Sequence, residues 1–149
     1  MVDTHVRLFD SLRGKILTRL LEVRGGIDHA YAKIPGEVMR AHFEILLDKV
    51  RTYLAIDDAS SYRRFAIRYL AIRVAEGFSH ENLIHSVVAI GDVAAQVART
   101  ELEPSVQREE FLRALTRMNF AHARMLVAFV ADDLAERLAH RELVLRSVR

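Results

Sequence analysis

Two histidines and their acidic neighbours are the residues of this chain best placed to do chemistry. The segment from Leu70 to Gly91, LAIRVAEGFSHENLIHSVVAIG, carries His80 and His85, a Gly-Phe-Ser break and then a run with almost no charge. On a helix, His80 and His85 are five residues apart and point about 140° away from each other, so they do not form a ligand pair. None of the seven histidines has another three, four or seven positions away, and Glu-x-x-His, the carboxylate di-iron pattern, does not occur. No metal site is expected. Glu81, His85 and Asp92 do line up, within about 40° around one helix face. That alignment is a polar seam at a helix interface, with an imidazolium held between carboxylates, or half a cation site, or a reactive site built on His85.

The reactive alternative is phosphoryl transfer. FSHENL resembles the phosphoacceptor box of sensor histidine kinases, but Leu83, Ile84 and His85 stand where the Arg/Lys-Thr-Pro would follow. IHSVVAIG followed by ARTELE resembles histidine phosphotransfer domains, with His85 at the acceptor position and Val88 and Ala89 in place of the expected Lys and Gly. A phosphoacceptor His85 must be exposed, whereas a structural one should be wholly or partly buried. A haem-binding globin-like pocket with His85 or His122 as ligand is a further alternative, and otherwise no cofactor is expected. Hydrolase and nucleotide chemistry lack their signatures: there is no Gly-x-Ser-x-Gly and no phosphate-cradling loop, and Gly25-Gly26 lacks a strand before it and a Lys after it.

The elements that must position these residues are helices. At 149 residues, half of them apolar and only two of them proline, the chain has the size and composition of one folded domain. The absence of cysteine removes disulfides, thiolate metal sites and cysteine nucleophiles. A net charge of +2 with interspersed signs gives a weak far field. The would-be reading helix, His80 to Ala98, has no Lys or Arg, so no nucleic-acid partner is expected. No apolar run reaches the length of a membrane span and the start shows no signal pattern, so the expectation is a cytoplasmic protein with no membrane partner.

Helical periodicity runs nearly throughout and predicts an all-α fold, a single helical bundle or globin-like domain of about five helices with a long C-terminal helix. The first helix spans about His5 to Arg24 and is expected to stop at Gly25-Gly26, with a one-turn or irregular piece over Asp28 to Lys33. Pro35 and Gly36 start a second helix to about Leu54, and Ser61 to Glu76 forms a third. Gly77 supplies a C-terminal residue tolerant of positive φ, and Ser79 caps a fourth helix, His80 to Leu102. That fourth helix is apolar nearly all round, so it is central or covered by a partner subunit. Leu83, Val87, Gly91, Ala94 and Ala98 are its expected helix-helix or dimer contacts, with the small residues allowing close approach.

The last helix, Val106 to about Arg146, would be roughly 60 Å long. Its first seam runs through Leu112, Leu115, Asn119, His122, Leu126 and Phe129; Leu134, Leu138 and Leu145 form a second stripe about 140° further round, and because projecting amphipathic helices normally pair these leucines are expected contacts of a homodimer. A kink or a change of partner is therefore expected near Asp132. The domain reading is a body over residues 1–131 and a projecting helix or linker to an output domain over residues 132–149.

Val74-Ala75-Glu76-Gly77-Phe78-Ser79-His80-Glu81-Asn82-Leu83 resembles the turn that begins the central helix in N-terminal sensor domains of the bacterial stressosome RsbR and RsbT co-antagonist type. The resemblance covers about residues 67–102. It implies an all-helical, often dimeric, non-enzymatic regulatory module in a stress response, sometimes globin-like without haem, with a C-terminal helix leading to a partner protein or fused output domain. No catalytic residue carries over.

Overall fold

The computed structural model describes residues 2–148 and is helical apart from its turns. Six helices follow in order: α1 Val2–Ile27, α2 His29–Ala32, α3 Gly36–Ile56, α4 Ser60–Ala75, α5 His80–Glu101 and α6 Val106–Val148. The one-turn piece expected after the first helix is α2, which brings the number from five to six.

Local chemistry sets most of the boundaries. Asp57 adopts a left-handed conformation (φ 52°) after α3 and donates its N–H to Tyr53 O at 2.7 Å. Gly77 sits at φ +98°, and Phe78 N–H reaches back to Arg73 O while Gly77 N–H bonds Val74 O, closing α4 in a Schellman arrangement. Ser79 and Asn82 then form a reciprocal capping box at the start of α5. Such a cap stabilises a helix by about 1 kcal/mol.

The glycine pair behaves otherwise than its composition suggests. α1 runs through Gly25 and Gly26, Asp28 N–H still bonds Arg24 O at 3.2 Å, and the chain leaves the helix only at Asp28, φ −158°. Glycine weakens a helix interior by about 1 kcal/mol but does not end it. A Cβ on Gly25 would come within 3.2 Å of Ala32 Cβ, so this glycine lets α2 fold back tightly onto α1.

α5 is the central element, packed against α6 on one side and α1 on the other, with α3 completing the layer against α1. Leu83, Val87, Gly91, Ala94 and Ala98 are all buried inside the chain, in a core shared with Phe9, Ile16, Phe43, Phe111 and Leu115. The α5 face is therefore occupied by α1 and α6 rather than left for a second copy. Gly91 marks the closest approach: a Cβ there would lie 2.3 Å from Asn119 Cγ on α6.

α6 is one uninterrupted helix of 43 residues that runs through Asp132. The change of stripe coincides with a change of surroundings: Val130 is its last buried residue, and from Leu134 to Val148 every side chain is exposed. The end of the body is tied by Asp133, which meets His80 Nε2 at 2.9 Å and Arg137 Nε at 3.1 Å. No helix among the described residues is long and apolar enough to cross a membrane.

Candidate functional site

The side chains gathered round His85 are not those that helical spacing aligned. His85 lies 3.7 Å from Glu81, one turn away on α5, and 3.5 Å from Asp28, which comes from the α1–α2 junction. Asp92, further along the helix, is exposed and forms no ion pair among the described residues. The side chain of His85 is 47% exposed. His80 is turned the other way, to Asp133 of α6.

Asp28 is the organising group. Its side chain is only 11% exposed, and it accepts hydrogen bonds from Ala30 N–H at 2.9 Å and from the Asn82 amide, with His85 Nδ1 close by. Burial alone would raise its pKa; the hydrogen bonds from Ala30, Asn82 and His85 outweigh it and hold the carboxyl below the usual range. Beside it the Tyr31 hydroxyl meets Ser86 Oγ and Asn82 O, the latter at 2.9 Å. One carboxylate thus caps α2, anchors the capping residue of α5 and orients His85. Sequence reading missed Asp28, Tyr31 and Ser86. The pattern Asp-x-Ala ahead of a one-turn helix is a local sign of the cap, but its contact with Asn82, 54 positions on, is not.

A second polar group lies behind Tyr31, in a cleft of about 470 Å³. Ile34, Val38, Met39, Phe78 and Leu83 give it apolar walls, and His42, Tyr69, Arg73 and Glu76 supply its polar edge. Tyr69 stacks on His42 with ring centres 5.1 Å apart, and Arg73 stands over the Tyr69 ring at 5.3 Å. Arg73 donates to His42 Nδ1 at 3.0 Å and to Glu76 at 2.6 Å. Burial, helped by the Arg73 charge, pushes His42 down to about 4, so the ring is neutral near pH 7. Burial raises the Tyr69 phenol well above its ordinary value.

His122 is the third buried polar residue of note. Only 3% exposed, it stacks on Tyr62 at 3.8 Å and meets the edge of Tyr53 at 5.5 Å. Burial lowers its pKa to about 4. Its Nε2 is buried with no hydrogen-bond partner. A haem iron needs an open approach to that nitrogen, and the packed ring offers none, so the residues at His122 do not fit a haem ligand. Among the described residues no three His, Asp or Glu side chains group as a metal ion would require.

Leu134, Leu138 and Leu145 are 47%, 62% and 55% exposed, on the part of α6 beyond the body. No protein-family model, no curated protein and no solved structure matches this chain.

Proposed function

We propose that this chain is a non-enzymatic regulatory domain that pairs with a second copy along α6 and passes changes in helix packing out through that helix. The observation that carries the reading is an exposed apolar stripe on α6, interrupted by Arg124 and Arg141: Phe120, Val127, Leu134, Leu138, Leu145 and Val148, between 47% and 80% exposed. Their spacing is that of a coiled-coil seam, with Ala131 and Leu138 among the a positions and Val127 and Leu134 among the d positions. Soluble helices do not keep so long an apolar stripe in water without a partner.

Charge selects the arrangement. In this register Arg137 falls at g, Arg141 at d and Glu142 at e. In a parallel, in-register pair each Glu142 meets Arg137 and Arg141 of the other copy, which offsets the two Arg141 side chains facing each other at d; an antiparallel pair centred on Leu134 and Leu138 sets Arg137 against Arg137. The parallel pair also places both bodies at one end and both helix C-termini at the other, as a relay requires. Burying the exposed parts of the six side chains at about 1 kcal/mol each yields roughly 10 kcal/mol per pair, against an association cost of about 4–15 kcal/mol. The pairing is therefore weak and concentration-dependent, and open to regulation. The resemblance of residues 67–102 to stressosome-type sensor domains supports the same class.

Sedimentation equilibrium of the full chain beside a chain ending at Val130 tests this. The full chain is expected to dimerise at micromolar concentration and the shortened one to stay monomeric. Two monomers across that range contradict the proposal.

The reading of His85 as a phosphoacceptor has its exposure in its favour. Against it stand Asp28 and Glu81, whose carboxylates lie within 4 Å of the ring and oppose a phosphoryl dianion.

A further inference from the structure

The cleft behind Tyr31 has the size of a small-molecule site and the composition of one, mostly apolar walls with a few convergent polar groups. Its hydrogen bonds can be followed atom by atom. Arg73 can only donate, so His42 Nδ1, which faces it at 3.0 Å, is the accepting nitrogen. The neutral ring then carries its proton on Nε2, which donates to the Tyr69 oxygen. The Tyr69 hydroxyl hydrogen is left without an acceptor among the described hydrogen bonds, on a residue only 8% exposed that lines the cleft. A buried donor left unsatisfied costs about 1–3 kcal/mol, which an acceptor brought by a ligand would recover.

The charges in the cleft cancel. The Arg73 terminal nitrogens are engaged by Glu76, at 2.6 Å, and by His42, so a ligand carboxylate would meet Glu76 and a ligand cation would meet Arg73; the buried Arg73 Nε, which has no partner, is a second donor open to a neutral acceptor. Val38 is 53% exposed and Glu76 is exposed as well, so the cleft opens to solvent on that side and is not a closed core void.

The geometry points to a binding site for a neutral, largely apolar small molecule carrying one carbonyl-type acceptor, such as a ketone, ester, lactone or amide, which accepts from the Tyr69 hydroxyl. Two walls of the site, Tyr31 and Leu83, belong to the joint between α2 and α5, where the Tyr31 hydroxyl bonds Asn82 and Ser86. Occupancy thereby acts on the first turn of α5, the same turn from which His80 holds Asp133 of α6. The site rests on the regulatory reading for its purpose alone, as the input whose output is α6.

The test uses two dyes on the full chain: prodan, a neutral naphthyl ketone, and the anionic naphthalene sulfonate ANS. Prodan is expected to bind saturably, one per chain, with blue-shifted emission. Val38→Trp, at a half-exposed position on the rim, should abolish that binding without loss of helical circular dichroism, and Tyr69→Phe should weaken it about tenfold through loss of one hydrogen bond. ANS should fail to displace prodan. Should Tyr69→Phe not fold, Val38→Trp decides alone. The proposal is overturned by absent or unsaturable prodan binding, by binding that Val38→Trp leaves intact, which would locate the dye on the α6 stripe, or by displacement of prodan by ANS. Failure here leaves the sedimentation result standing, and a monomeric chain that still binds prodan overturns the pairing alone.

Discussion

Replacing His122 by phenylalanine should change how the stability of this protein depends on pH, in a direction and amount that follow from one buried ring. His122 is 3% exposed, stacked on Tyr62, with Nε2 unpartnered, and its pKa lies at about 4 against about 6.5 in an unfolded chain. Because the folded value is the lower one, the unfolded chain binds a proton that the folded chain refuses between those two values. Stability is therefore lost as pH falls from about 6.5, and the loss is complete near 4. At about 1.4 kcal/mol per pH unit the full effect is about 3 kcal/mol, of which about 2 kcal/mol has developed by pH ~5. His122→Phe keeps an aromatic ring against Tyr62 and removes both the titration and the orphan nitrogen. Near neutral pH it should match the wild-type protein within about 1 kcal/mol; by pH ~5 it should have gained about 2 kcal/mol on it. Urea unfolding followed by circular dichroism at several pH values measures the difference directly. His42 and the carboxylates titrate in both proteins and cancel from the comparison. A stability difference that does not change with pH would refute the reasoning, because it would mean that His122 protonates as freely folded as unfolded.

Gly91→Ala forces a methyl into the Asn119 side chain, whose Cγ would lie 2.3 Å away, and displaces its bond to Val88 O. Despite a helix-propensity gain of about 1 kcal/mol, a net loss of about 1–2 kcal/mol is expected, and in an Asn119→Ala background the same substitution should stabilise instead. Equal costs in the two backgrounds, read from urea midpoints, would show that the close approach of α5 and α6 is not what requires glycine. Incubation with acetyl phosphate should leave His85 unlabelled by mass spectrometry, because Asp28 and Glu81 flank the ring; a phosphorylated His85 would replace the regulatory reading with phosphotransfer.

The elements were legible because their signals are local. Gly77 at positive φ, Ser79 as a cap, the start of α3 at Pro35-Gly36 and the length of α6 each follow from a few neighbouring residues. Gly25-Gly26 misled because a glycine pair reads as a stop, whereas here the stop is Asp28, with a side chain that starts α2 at once. The second stripe on α6 was visible as a change of phase near Asp132, but phase alone does not distinguish a bend from an end of contact.

The candidate sites were less legible, since their parts meet across the fold. Glu81 and His85 share one helix and were visible, but Asp28, which orients the histidine, comes from another part of the chain. Tyr69 and Arg73 are one turn apart on α4, and His42 shares the apolar face of α3 with Met39 and Phe43. Nothing in either helix by itself says that these faces meet around a cleft.

The pairing of α6 in parallel register is the central claim, and the absence of cysteine from the chain makes it directly measurable. With Leu145→Cys as the single thiol, a parallel in-register pair sets the two sulfurs opposite each other at an a position, whereas Glu136→Cys lies on the outer face. Under mild oxidation at micromolar protein the account predicts a disulfide-linked dimer from Leu145→Cys and monomer from Glu136→Cys. Monomer from both, or equal cross-linking of the two, would contradict it.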